Sequence, residues 1–159
     1  MGYIDKSLLD GEELVYRTRR HKIIFILPFL WLIFSIAFYA VKWIWPFTLE
    51  IITTLLVFAI IFVSAAVIHA LIVWIQYCST EFGVTNQRVI VKEGFIKRNT
   101  IEVFLKRVES VQVEQSILGR LLDFGNVTVS GTGGVSDPLS MIRAPLEFKK
   151  QVQQQLAKH

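Results

Sequence analysis

Two runs without a charged residue, 23–41 and 51–75, constrain this 159-residue chain more than anything else in it. A hydrocarbon core of about 30 Å is crossed by roughly 20 apolar residues in an α-helix, so each run predicts a membrane-spanning helix. Pro28 lies near the start of the first run, where it costs a helix little in the first turn and adds a bend if deeper. The segment Lys42-Trp43-Ile44-Trp45-Pro46 separates the runs and places two tryptophans beside a lysine, a combination that the membrane–water interface selects. Thr53, Thr54, Ser64 and His69 are the polar residues of the second run, and Trp74 and Tyr77 stand near its far boundary. The connection is too short to cross back, so the pair reads as an antiparallel hairpin with both flanks on one side. A cleavable signal peptide is the competing reading of the first run. The acidic residues in its lead, the lack of a small-residue cleavage pattern and the second run all argue against it.

Charge gives the hairpin a direction. Arg17, Arg19, Arg20 and Lys22 precede the first run, against Lys42 alone between the two. The positive-inside rule then puts both flanks, and everything after residue 80, in the cytoplasm of the cell membrane. Cys78 is the single cysteine, which excludes an internal disulfide and a cysteine-based zinc site within one chain. The net charge is +4, and residues 80–159 carry eleven Lys or Arg against eight Asp or Glu. That balance gives no strong nucleic-acid signal, and a surface near anionic headgroups is the more economical use of the excess.

From residue 80 the apolar period changes from that of a membrane helix to that of strands. Phe82 and Val84 precede a turn at Thr85-Asn86-Gln87; a strand from Arg88 follows, and Glu93-Gly94 turns into another that opens at Phe95-Ile96. Ile101, Val103 and Leu105 alternate with Thr100, Glu102 and Phe104, one face toward a core. Val111 and Val113 repeat the alternation, with Val108 out of phase, which predicts a bulge or bend near Glu109 or Ser110. Ile117, Leu118, Leu121 and Leu122 take helical spacing and leave Arg120 on the other side. Asp123-Phe-Gly-Asn then leads to a strand with Val127 and Val129, and 139–143 is a last short strand. Pro145 suits the first turn of a helix carrying Phe148, Val152 and Leu156 at helical intervals. Before the first run, Leu14, Tyr16 and Thr18 alternate as a short strand would, and a solvated basic lead is the competing reading.

The blocks Arg88-Val-Ile-Val-Lys-Glu-Gly, Arg107-Val-Glu-Ser-Val-Gln-Val-Glu-Gln-Ser-Ile-Leu-Gly-Arg-Leu-Leu and Gly125-Asn-Val-Thr-Val-Ser-Gly-Thr-Gly-Gly resemble the bacterial pleckstrin-homology-like membrane proteins over roughly residues 80–153. The resemblance implies a bent antiparallel sheet closed at one end by a C-terminal helix. The expected fold is therefore a two-helix transmembrane hairpin plus a mainly-β pleckstrin-homology-like domain with a C-terminal capping helix. The expected segments are a lead over 1–22, two transmembrane helices within 23–77 and the sheet domain over 80–159. A fold of this kind hosts many tasks, so it implies little about activity.

Few residues carry chemistry. Lys92, Lys97 and Arg98 flank the Glu93-Gly94 hairpin, and Lys106 and Arg107 follow on the next connection. Basic residues around an early hairpin bind phosphoinositides in eukaryotic pleckstrin-homology domains, so the resemblance marks these five as lipid- or partner-binding candidates. A charged edge that deters sheet aggregation is the plain alternative. Ser64 and His69 are the intramembrane polar candidates. His69 is read first as a neutral imidazole with a hydrogen bond or a facing subunit. The spacing of His21, His69 and His159 suggests no metal triad, and no cofactor is expected. Gly131-Thr-Gly-Gly leads into a turn rather than a helix and lacks the Lys-Ser or Lys-Thr of a phosphate loop. Glu102, Glu109 and Glu114 have no nucleophile or metal beside them, so an enzyme is not expected. The leading expectation is a non-enzymatic membrane-anchored module for protein–protein assembly at the inner leaflet, with membrane lipids, a protein partner or a homo-oligomer as partners. The alternatives are an anionic-lipid recognition module and a small accessory subunit of a transporter or channel.

Overall fold

A computed structural model of the protein describes residues 3–41, 43–44, 48–95, 99–132, 134–135 and 139–158. In chain order the elements are helix α1 (Tyr3–Ser7), strand β1 (Leu14–Thr18), helices α2 (Ile26–Val41) and α3 (Leu49–Ser79), strands β2 (Glu81–Thr85), β3 (Arg88–Glu93), β4 (Asn99–Phe104) and β5 (Val108–Glu114), helix α4 (Ile117–Leu122), strands β6 (Phe124–Gly131), β7 (Gly134–Val135) and β8 (Leu139–Arg143), and helix α5 (Pro145–Leu156). They form two compact units, Lys22–Ile75 and a second made of Met1–His21 together with Gln76–His159.

The first unit is a pair of apolar helices. A 3-10 turn over Lys22–Phe25 leads into the 16 residues of α2. Together they reach about 32 Å. The 31 residues of α3 reach about 46 Å, so both helices are long enough for a hydrocarbon core. Pro28 falls in the first turn of α2, where a missing N–H leaves no helical bond unmade. The helices meet through rings: Phe38 stacks on Phe62 at 5.2 Å between centroids, and Trp31 stacks on Phe62 at 5.5 Å. Ser35 Oγ donates to the Ala59 carbonyl at 3.0 Å, both residues buried, and their small side chains permit that approach. Only 11% of the most apolar window of each helix is buried, whereas the core helix of a soluble domain is covered on its apolar face. Lys42, Trp45 and Pro46 lie outside the described residues.

The second unit holds two four-stranded sheets. One has the order β1-β2-β3-β4; in the other β5, β7 and β8 all pair with β6. A bridge between Arg20 and Ile142 joins them along one seam. The His21 N–H donates to the Met141 carbonyl, and the Arg143 N–H to the Arg19 carbonyl, on the same seam. At the opposite corner the chain itself passes from β4 to β5 through a 3-10 turn, Leu105–Arg107. Phe82, Val84, Val89, Val91, Val127 and Val129 fill the space between the sheets. Helix α5 closes one end by burying Phe148 and Val152 in that core, with Tyr16 edge-on to Phe148 at 6.4 Å. The sheet-rich domain with its C-terminal helix is thus present, and the ladder of β5 slips between Val108 and Ser110, where the phase change predicts it.

The segment before the first apolar helix belongs to this unit. Strand β1 runs antiparallel to β2, Tyr16 opposite Val84 and Thr18 opposite Phe82. That pairing explains why all five residues of β2 are buried. Phe82 and Val84 face the core, while Glu81, Gly83 and Thr85 face the other way and are covered by α1 and the segment after it. Ile4 is fully buried there, and a Cβ on Gly83 would stand 2.8 Å from Ile4 Cδ1, so only glycine accepts this approach without displacement. The strand expected from Phe95-Ile96 instead begins at Asn99: Gly94 turns with φ 88°, Phe95 sits exposed in a bend, and Ile96 lies outside the described residues.

Deleting the Ile4 side chain should therefore act on the sheet. Ile4→Ala is expected to cost about 2–4 kcal/mol, read as a lowered unfolding midpoint of the detergent-solubilised protein. A truly solvated lead would leave the midpoint unchanged.

Candidate functional site

Leu105 sets up the site. Its side chain is 1% exposed and its N–H donates to the Gln87 carbonyl at 2.9 Å. With that anchor inside, the two residues that follow in the tight turn, Lys106 and Arg107, point outward. The Arg107 carbonyl accepts from the Thr132 N–H at 3.0 Å, which fixes the far side of the turn. Lys106, Arg107, Gln87 and the half-exposed ring of Phe104 line a groove of about 490 Å³. Among the described residues no carboxylate pairs with either cation.

The groove rests on a buried ion network. Arg88, next to Gln87 and opposite Phe104 in the β3–β4 ladder, donates from Nε to Glu12 Oε1 at 3.0 Å and from Nη2 to Glu12 Oε2 at 2.9 Å. Its Nη1 donates to Glu102 Oε2 at 2.6 Å and its Nη2 also to the Ser7 carbonyl at 2.8 Å. Thr85 Oγ1 donates to Glu12 Oε1 at 2.7 Å and accepts from the Arg88 N–H at 3.0 Å, which locks the β2–β3 turn. The Glu12 side chain is wholly buried and that of Arg88 nearly so. Burial pushes the Glu12 carboxyl up, but hydrogen bonds from Arg88, Thr85 and the Leu9 N–H outweigh it and hold the group below its ordinary value of 4.5. Burial likewise works against the Arg88 charge, and Glu12 and Glu102 overcome it.

Three of the five basic candidates are described, and they stand in two places. Lys106 and Arg107 share the groove. Lys92 lies at the other end of β3, opposite Glu81 and Thr100, with its Nζ 5.4 Å from the centre of the Tyr3 ring. Lys97 and Arg98 lie outside the described residues, as does His159. In the helical unit Ser64 Oγ bonds its own helix at the Ile60 carbonyl, 2.8 Å away. It lines a groove of about 420 Å³ with Ser35, Tyr39 and Ala59, and His69, half-buried, stands outside that lining. No group of three His, Cys, Asp or Glu able to hold a metal occurs among the described residues. Sequence reasoning missed Glu12, Arg88 and Ser35; the alternation that places Arg88 and Glu102 on the same face of β3 and β4, away from the core, was the available signal for the charge pair. The chemistry on offer is the capture of an anionic or acidic group beside an exposed aromatic ring.

Because the Glu12 carboxyl sits low, the stability it contributes is complete above its unfolded value and is lost as pH falls through the folded one. Glu12→Gln should cost about 1–3 kcal/mol at neutral pH, because Arg88 keeps Glu102 but loses its buried anionic partner. It should also flatten the acid side of the curve below about pH 4.5. Urea midpoints measured as a function of pH report both effects.

A family model described as Bacterial PH domain matches residues 22–158, a span that takes in both apolar helices and the sheets from β2 onward. No curated protein and no solved structure matches the chain.

Proposed function

The chain belongs to the bacterial PH-domain family, and on that premise we propose that it is a non-enzymatic, membrane-anchored module for protein–protein assembly at the inner leaflet. In this reading the Phe104–Arg107 groove receives an acidic segment of a protein partner. Two apolar helices of spanning length supply the anchor. The pairing of β1 with β2, from before and after the two helices, supports a hairpin with both flanks on one side. The cations Arg17, Arg19, Arg20 and Lys22 favour the cytoplasmic side.

The position of the groove carries the choice between protein and lipid. His21 directly precedes the first apolar helix, and its ring stacks on Phe124 at 5.3 Å, at the start of β6. Arg107 stands beside Gly131 and Thr132, at the other end of that eight-residue strand. Eight residues of strand span about 26 Å. The register of β2 and β3 gives the same sense: Glu81, two residues after α3, pairs with Lys92, and Gln87 lies past the opposite end. So Lys106 and Arg107 lie at the end of the sheet domain away from His21 and Glu81, which favours a protein segment as their partner. Strand β4, last in its sheet, offers a backbone edge beside them for an extended segment.

A photo-crosslinking residue at Phe104 of the full chain, activated in cells, should give a protein adduct whose mass names the partner or a second copy. Lys106→Glu with Arg107→Glu should abolish it, and the same probe at Val15 on β1 should stay unreacted. An adduct of lipid alone would replace this reading with anionic-lipid recognition.

A further inference from the structure

Helix α4 presents its apolar residues to the outside. Ile117 is 88% exposed, Leu121 80%, Leu118 63% and Leu122 43%. The side turned to the sheet is Gly119, whose added Cβ would stand 2.6 Å from the Phe124 carbonyl. The helix is clamped in this orientation. Ser116 Oγ accepts from the Gly119 N–H at 3.0 Å, Gln115 Nε2 donates to the Phe124 carbonyl at 3.1 Å, and Asp123 ends the helix in a left-handed conformation. Four large aliphatic side chains are held rigidly in a place where water is the wrong solvent for them.

We propose that α4 is a keel that inserts into the headgroup–acyl boundary of the anionic leaflet from which the chain's own helices rise. The inference rests on the membrane-anchored reading above. Chain continuity names the occupant. Phe124 follows α4 by two residues and stacks on His21, and the next residue, Lys22, opens the apolar helical unit. The lipid boundary is thus reached within a few residues of the chain that touches the end of α4. Charge is balanced there, Arg120, Arg143 and Arg19 against Asp123, Glu114 and Glu147, so the exposed aliphatic side chains and the continuity of the chain carry the inference. A short helix with aliphatic residues on one side and a cation on the other is suited to lying at that depth. Its four side chains expose a few hundred Å², short of the roughly 800 Å² that each partner brings to a stable protein interface.

The test uses the full chain in lipid nanodiscs containing phosphatidylglycerol, with Cys78→Ser and single nitroxide labels at Leu121→Cys, Ile60→Cys or Val15→Cys. Oxygen and a water-soluble nickel chelate report depth by collision. The Leu121 label is expected to resemble the Ile60 label on α3, shallower but with an oxygen-to-nickel ratio several-fold above that of Val15. A Leu121 label that matches Val15 while Ile60 remains in lipid overturns the keel and leaves the anchor standing. If the Ile60 label also matches Val15, the anchor falls and the keel with it. Spin–spin broadening between Leu121 labels on separate copies overturns the keel in favour of self-association.

Discussion

The arrangement of the sheet domain depends on one buried guanidinium. Arg88 is held by Glu12 and Glu102 and by the Ser7 carbonyl. A buried charge is tolerable only when paired and hydrogen-bonded, so the segment bearing Glu12 has to lie against β3. That requirement fixes α1 on the outer face of β2, brings Ile4 onto Gly83 and holds the end of the ladder from which Gln87 and Phe104 line the basic groove. An ion pair is a poor source of net stability compared with a well-packed apolar contact. Its value here is register: a guanidinium with five donors accepts few wrong arrangements.

The domain has two chemically different ends. At one, Phe124 stacks on His21 and lies under the Gly119 side of α4, whose aliphatic residues face outward. At the other, Lys106 and Arg107 are exposed without carboxylate partners among the described residues, and Phe104 adds an aromatic wall. Strand β6 runs from the first end to the second, so its length sets their separation. On the proposed reading this polarity keeps lipid and protein from competing for one surface.

Most of the architecture can be read along the chain because it rests on local periods. The alternation of Phe82 and Val84, Val89 and Val91, and Val127 and Val129 marks core faces, and the charge-free runs mark the long helices. The slip at Val108 is visible as a phase change. The contacts that escaped are long-range. Glu12 and Arg88 are 76 residues apart, and neither differs locally from a solvated surface charge. Ser35 appears as one more small residue in an apolar helix until Ala59 is placed beside it. The five basic candidates form a single cluster in sequence order, but a six-residue ladder separates Lys92 from the Lys106–Arg107 turn. The leucines of α4 have the spacing of a buried face; only the burial of Gly119 shows that the helix is turned the other way.

The sheet that contains β1 draws on chain from both sides of the helical pair. During synthesis the first 21 residues leave the ribosome long before β2 exists, with Ile4 and Glu12 lacking any surface to cover. Strand β1 has no partner until α2, α3 and β2 have been made, so the domain can close only afterwards. Closure of the domain is thereby tied to the helical pair: only a chain in which α2 and α3 return the two flanks to each other brings Tyr16 to Val84.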